Sequence, residues 1–354
     1  MKLHRIPLYA ASASLVLALA HLNAQTVATD PVGFVTITIG GGNPKTTPIS
    51  IPLLDTANID GQAVGQITGL SANTITNSNA GWAINGLSAA TNPHLIQITS
   101  GNAAGRMFLI ATNPNTATSL TINATDILQG SLTDLGVAVG DSYKIVPCDT
   151  LNTLFGTNPT AAPPAGLAVR GGTSTTNSDN VNVIVNGGVR TYFYRTNGTP
   201  GWVATTFGNP ASGNTPLPPY AGLQYIRRTN SPISFTATGS VPTLLRRVMV
   251  KNSGQTLLSQ YWPANSTVAG LNLQSIPGWV SNANPANADK AVIVSTNGAE
   301  ATYFYDGANW KQQAFGNPVR NTNTVALGSA IRIIKIGSAG GYSTYSNAVP
   351  YNLQ

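Results

Sequence analysis

Apolar and hydroxyl residues alternate along much of this chain. In Val35-Thr36-Ile37-Thr38-Ile39, three branched apolar side chains fall on one face and two threonines on the other, the period of a half-buried β-strand. Gly40-Gly41-Gly42-Asn43-Pro44 ends that strand. The next run, 47–54, holds Pro48 and Pro52 and predicts an edge segment or an extended loop. Apolar runs at 64–70, 74–75, 82–84, 95–98, 107–110, 119–122 and 143–146 predict short strands. Asn-Pro pairs beginning at Asn92, Asn113, Asn158 and Asn284 punctuate the chain, because Asn closes local side-chain bonds and Pro fixes φ. Asn-Gly pairs at Asn85, Asn186, Asn197 and Asn297 are hairpin signals where strands flank them. Helix signals are few; only 131–139 or 150–155 suits a single turn.

One pattern occurs twice. Thr191-Tyr192-Phe193-Tyr194, Trp202 and Phe207-Gly208-Asn209-Pro210 are answered by Thr302-Tyr303-Phe304-Tyr305, Trp310 and Phe315-Gly316-Asn317-Pro318. Downstream, Leu223-Gln224-Tyr225-Ile226-Arg227 is answered by Ile331-Arg332-Ile333-Ile334-Lys335, and Val241-Pro242 by Val349-Pro350. From Trp202 onward the offset stays at 108 (310 minus 202), which reads as an internal duplication. Gly140-Asp141-Ser142-Tyr143 lines up with Gly222-Leu223-Gln224-Tyr225, so the first half is a candidate for a remote third copy.

These patterns predict an all-β fold of tandem sandwich-like or barrel-like modules. The expected layout is a signal peptide at 1–24, an N-terminal β domain at 25–158 and a Pro/Ala/Gly-rich linker at 159–172. Repeat copies follow at 173–242 and 281–354, joined by a connecting segment at 243–280. The signal rests on Lys2, His4 and Arg5, then an apolar run from Leu8 to Ala20, with Ala24 as the expected last residue before cleavage. That run is shorter than the roughly 20 residues a membrane-spanning helix needs, and no later segment is long enough.

Composition sharpens the picture. Hydrophobic residues are 42% of the 354, enough for a buried core, but charged residues are only 8%, against roughly 25% in an ordinary soluble domain. Thr, Asn, Ser, Gly and Ala fill the gap, a surface suited to a fibre, coat or crowded matrix outside the cell. The formal charge is +7, and Lys2 and Arg5 lie in the expected signal. Arg227, Arg228, Arg246 and Arg247 are the only close pairs of cations, not the dense basic face that nucleic acid requires. Cys148 is the single cysteine, so no internal disulfide forms, and a buried thiol is the expectation.

Candidate chemistry is sparse. Beyond the signal there is one histidine, His94, and a nucleophile–histidine–acid set would have to join it to Cys148 or a serine. A turn histidine is the expectation. No Gly-x-Ser-x-Gly elbow, phosphate loop or zinc spacing is present. Asp126, Asp134, Asp141 and Asp149 are regularly spaced; as oxygen ligands they would suit calcium, but they read better as turn aspartates. No cofactor and no metal site are expected. The aromatic residues of the repeat remain. If Phe193 and Phe304 enter the core, then Tyr192, Tyr194, Tyr303 and Tyr305 face outward near Trp202 and Trp310, forming two platforms for sugar rings. The alternative, that these rings pack between sheets, is favoured, since core positions are what a repeat must keep in order to fold.

The start Ala28-Thr29-Asp30-Pro31-Val32-Gly33-Phe34, the stretch Gly140-Asp141-Ser142-Tyr143-Lys144-Ile145-Val146-Pro147 with Thr150-Leu151-Asn152-Thr153-Leu154-Phe155 after it, and Ala301-Thr302-Tyr303-Phe304-Tyr305-Asp306-Gly307-Ala308-Asn309-Trp310-Lys311 together resemble a family of uncharacterised secreted proteins of verrucomicrobial bacteria. Cys148-Asp149 departs from the aromatic pair usual there. The resemblance implies a secreted β-rich protein and carries no assigned activity, hence no functional residues. The expected role is that of an exported, non-catalytic structural or cell-surface protein, secreted or on the outer surface, with self-assembly or cell-surface glycans as its partners and no nucleic acid. Carbohydrate binding or adhesion through the aromatic platforms is the alternative. Strand 35–39 is expected to pair within its own domain; its other possible use is to complete a neighbour's sheet.

Overall fold

The computed structural model describes residues 31–351, apart from 56–58, 60, 89–90, 113–114, 129, 186–187 and 296–298. The expected signal lies outside the described residues. Strands β1 (Val32–Ile39) and β2 (Gly42–Ile49) open the chain. A middle module follows, with β3 (Val64–Gln66), β4 (Gly69–Leu70), β5 (Thr74–Thr76), β6 (His94–Ile98), β7 (Met107–Leu109), β8 (Ser119–Thr121) and β9 (Ser142–Pro147). After one helical turn, α1 (Leu151–Phe155), come β10 (Asn180–Val185), β11 (Gly188–Arg195), β12 (Gly201–Ala204), β13 (Gly222–Thr229) and β14 (Ile233–Ser240). The remainder is β15 (Arg246–Lys251), β16 (Gly254–Ser259), β17 (Ser266–Thr267), β18 (Lys290–Val294), β19 (Glu300–Tyr305), β20 (Trp310–Gln312), β21 (Thr324–Val325), β22 (Ala330–Lys335) and β23 (Tyr342–Asn347). The fold is all-β, as the alternation predicts.

The first sandwich sets the five-stranded sheet β12-β11-β10-β13-β2 against the pair β1-β14. Val35, Ile37 and Ile39 from β1 and Ile233, Phe235 and Ala237 from β14 enter one core with Val181, Val183, Tyr192, Tyr194, Leu223 and Tyr225 from the larger sheet. The α1 turn plugs this core. Thr150 caps it reciprocally, accepting from the Thr153 N–H at 3.1 Å while its own N–H donates to Thr153 Oγ1 at 2.8 Å, so a five-residue helix holds its shape. Its Phe155 ring then meets Trp202, Tyr225 and Phe235 at 5.6, 5.7 and 5.4 Å between centroids.

The second sandwich has the corresponding order: sheet β20-β19-β18-β22-β16 with the pair β15-β23. Its core holds Val248, Val250, Leu258, Ala291, Ile293, Tyr303, Trp310, Ile331, Ile333 and Tyr345. The middle module has the shorter order β3-β9-β6-β7, with β4-β5-β8 as a second small sheet, around Ile67, Ile75, Trp82, Ile96, Phe108 and Tyr143. The likeness of the two sandwiches extends to single groups. Asp179, just before β10, takes the N–H of Arg170 at 2.9 Å and of Arg228 at 2.7 Å and is ion-paired with Arg227. Asp289, just before β18, takes the N–H of Val280 at 2.9 Å and of Ile336 at 2.8 Å, with Lys335 at 3.9 Å. Both carboxylates are fully buried. In the paired Phe-Gly-Asn-Pro turns, Asn209 and Asn317 adopt φ of 43° and 42°, the left-handed region that Asn tolerates, and Phe207 and Phe315 stand fully in solvent.

Hydrogen bonding crosses the boundaries expected from composition. β1 and β2, inside the expected 25–158 domain, pair with β14 and β13 of the first sandwich. β15 and β16, inside the expected 243–280 connector, pair with β23 and β22 of the second. Strand partners follow which apolar face needs covering, not nearness in the chain. The 159–172 stretch is likewise packed: Val169 is in the first core, and the Ala168 carbonyl accepts from Arg227 Nη1 at 3.1 Å. The run over 47–54 meets its expectation in part, since β2 is the edge strand of its sheet.

Asp179→Ala should lower unfolding free energy by about 3–5 kcal/mol, because it strands the buried Arg227 and two amides. Asp289→Ala, whose cation stands farther off, should cost less. Urea unfolding of the two variants measures both.

Candidate functional site

A cleft of about 710 Å³ opens between the middle module and the first sandwich. Leu109, Ile110, Asn123 and Asp126 line it from the middle module; Val183, Val189, Arg190 and Tyr192 come from β10 and β11; Asn214, Pro216 and Tyr220 come from the loop before β13. Such a mix of apolar wall and a few converging polar groups is what small-ligand sites require.

Asp126 is its chemical centre. It ends a 3-10 turn, 124–126, that Asn123 caps by accepting the Thr125 N–H at 3.0 Å. Asp126 Oδ2 accepts from the Leu109 N–H at 2.7 Å and from the Tyr220 hydroxyl at 2.5 Å. Burial nevertheless pushes this carboxyl up to about 6, against the pull of both hydrogen bonds. The same burial, with Asp126 beside it, raises the Tyr220 hydroxyl well above its ordinary value. Burial thus favours the protonated carboxyl, which can donate a hydrogen bond where the carboxylate only accepts. Arg190 stands exposed at the rim. Glycoside hydrolysis needs two opposed carboxyl groups. Asp149 is also pushed up to about 6, by burial and by Asp55, but it is bonded to Thr153 Oγ1 at 3.0 Å and does not line the cleft.

The aromatic residues expected as platforms are placed otherwise. Tyr192, Tyr194, Trp202, Tyr303 and Trp310 are buried and Tyr305 is half-buried. Tyr194 donates to the Thr157 carbonyl at 3.0 Å and Trp202 Nε1 to the Gly156 carbonyl at 3.1 Å, with the two rings edge-on at 5.7 Å. Trp310 Nε1 donates to Gln274 Oε1 at 3.1 Å, and the Tyr303 hydroxyl accepts from Asn323 Nδ2 at 3.2 Å. Phe193 and Phe304, on the opposite face, are buried as well. The outward-platform alternative is thus corrected: Tyr192, Phe193 and Tyr194 on β11 and Tyr303 and Phe304 on β19 are buried whichever face they point to, and only Tyr305 is part-open.

His94 on β6 and Cys148, just past the end of β9, point to opposite faces. His94 pairs in register with Pro147, whereas the Cys148 thiol packs with Leu95 and Val146. The His94 ring is bonded through Nδ1 to the Asn92 carbonyl at 2.9 Å and lowered by burial; the thiol is raised well above its ordinary value by burial and Asp149. The remaining spaced aspartates serve local turns: Asp134 accepts from Ser131 Oγ at 2.7 Å and Asp141 from the Ala138 N–H at 2.9 Å. Among the described residues no three acidic, histidine or cysteine side chains gather as metal ligands, and no helix is long and apolar enough to cross a membrane. The sequence offers Asp126 as a turn aspartate or a calcium-type oxygen ligand and gives no sign of Tyr220, because their contact joins segments 94 residues apart.

Trp202→Ala and Trp310→Ala should each cost about 3–5 kcal/mol in chemical unfolding, as buried rings do. The raised aspartates give a pH signature. In the folded state Asp126 and Asp149 bind protons more tightly than at their ordinary 3.8, so their contribution is greatest below about pH 4 and is lost as pH rises through about 6. Buried neutral His94 acts in the opposite sense, so variants isolate the effect. Asp126→Asn should raise stability at pH 7 by on the order of 1 kcal/mol, reduced by the water that reaches the cleft, and leave it little changed at pH 4. Thermal melts at the two pH values measure this.

Compared with models of known families, with curated proteins and with solved structures, the chain gives no match.

Proposed function

We propose that this chain is an exported, non-catalytic structural or cell-surface protein, built on two copies of one sandwich with the middle module between them. The observation that carries the reading is where its aromatic and charged side chains are used. Trp82, Trp202, Trp262 and Trp310 are all buried, as are the two aspartates at the sandwich corners. What faces solvent is rich in hydroxyls, as on β1 and β14, where Thr36, Thr38, Ser234, Thr236 and Thr238 are exposed. The middle module also braces the second sandwich: Arg106 Nη2 donates to Thr344 Oγ1 at 2.6 Å and Arg106 Nη1 to Met249 Sδ at 3.3 Å. A folded body with a charge-poor, hydroxyl-bearing exterior suits a coat or matrix component. The resemblance to secreted β-rich proteins and the apolar run at 8–20 support the export half of the reading.

The cleft favours a second reading, carbohydrate binding, with its site moved from the aromatic platforms to Asp126, Arg190, Asn123 and Asn214. Cell fractionation with a glycan array separates the two. The structural role predicts protein at the cell exterior and no glycan bound. Specific binding that Asp126→Ala and Arg190→Ala abolish would establish the second reading instead, and retention in the cytoplasm would overturn both.

A further inference from the structure

The two sandwiches differ in what covers their small sheets. In the second, the outward side chains of β15 and β23, among them Arg247, Met249 and Thr344, are half-buried under the middle module. Gly105 of that module approaches so closely that a Cβ on it would lie 1.9 Å from the Leu245 carbonyl oxygen, and Arg106 bonds both Met249 and Thr344. Among the described residues, nothing covers the corresponding pair in the first sandwich, β1-β14. Val32 is 79% and Phe34 77% exposed, and the threonines and Ser234 beside them are open to solvent. The middle module, already engaged on β15-β23, does not also cover this face.

The edge of β1 is equally open. β1 pairs with β14 along eight residues without a register shift, and among the described residues no strand and no hydrogen bond meets its other edge. Natural sheets guard such edges with charge, proline or a bulge. β1 reads Val-Gly-Phe-Val-Thr-Ile-Thr-Ile and has none of these, whereas its counterpart β15 carries Arg246, Arg247 and Lys251.

We infer that β1 pairs antiparallel with β1 of a second copy about a two-fold axis, making one continuous sheet in the order β14-β1-β1-β14. A second copy is the fitting occupant for two reasons. An antiparallel edge is complementary to itself under a two-fold rotation, each donor meeting an acceptor of the other copy. And neither β1 nor β14 carries a charge with which to select a different partner, while the hydroxyls that pair across the sheet at Thr38 and Ser234, 2.9 Å apart, also suit a twin strand. The inference rests on the structural role proposed above and supplies its first contact between molecules.

Sedimentation equilibrium of the wild-type chain and of Thr36→Lys/Thr38→Lys tests it. Both threonines are exposed, so the variant should keep its thermal midpoint, while like charges facing each other across the axis weaken association at least tenfold. Amide exchange on the wild type gives a second readout: alternate β1 amides should be protected at high concentration and exposed on dilution. A chain that stays monomeric, a lysine variant that dimerises as well as the wild type, or β1 amides indifferent to concentration would overturn the pairing. A monomer still found at the cell exterior would defeat this inference and spare the structural role; a β1-dependent dimer confined to the cytoplasm would do the reverse.

Discussion

A carboxylate buried at one corner of each sandwich fixes where three separate segments meet. Asp179 ties the start of β10 to the loop at Arg170 and to the end of β13 at Arg228; Asp289 does the same for β18, Val280 and Ile336. A charge taken out of water persists only when its lone pairs are filled and a cation stands near. Arg227 and Lys335 supply that cation, and Tyr225 adds a hydroxyl at 2.9 Å in the first sandwich. Such a corner has one satisfactory arrangement, so it sets the register of the strands that leave it. Burial lowers Lys335 by more than Asp289, 3.9 Å away, pulls it back, so the attraction of this pair only partly offsets its desolvation.

With the corners fixed, the rest follows from covering apolar faces. Within the tyrosine-rich strands β11 and β19, Tyr192-Phe193-Tyr194 and Tyr303-Phe304-Tyr305 carry no residue that must face water, and all but the half-buried Tyr305 are buried on both sides. The Tyr194 hydroxyl and the Trp202 indole reach backbone carbonyls, and the Trp310 indole reaches a side-chain amide, so these three rings are buried with their polar atoms bonded. The middle module then seals one small sheet and, among the described residues, the other is left uncovered.

Much of this was legible in the chain. The alternation of Val35, Ile37 and Ile39 against Thr36 and Thr38 fixed both the strand and its inward face, and 150–155, one of two stretches suited to a single helical turn, is the one that forms α1. Alternation fails where both faces are apolar: Tyr-Phe-Tyr has the same period whether one side or neither meets water, which is why outward platforms were conceivable. Composition marked 159–172 as a linker, because Pro, Ala and Gly are typical of linkers, yet those residues also suit a tight packed loop. Partner choice was beyond local pattern altogether. Nothing near Val35 points to Phe235, and nothing near Asp126 points to Tyr220. The match of Arg227 with Lys335 was visible, but their aspartates were not, since 179 and 289 stand at an offset of 110 (289 minus 179), outside the 108-residue frame.

The central claim is that both sandwiches hang on their buried aspartates as rigid frames. Native-state hydrogen exchange at the amides of Arg170, Arg228, Val280 and Ile336 tests it most directly. The account predicts that all four exchange only through global unfolding, with protection equal to the slowest core strands. Exchange at the rate of the surface turns, in either sandwich, would contradict it.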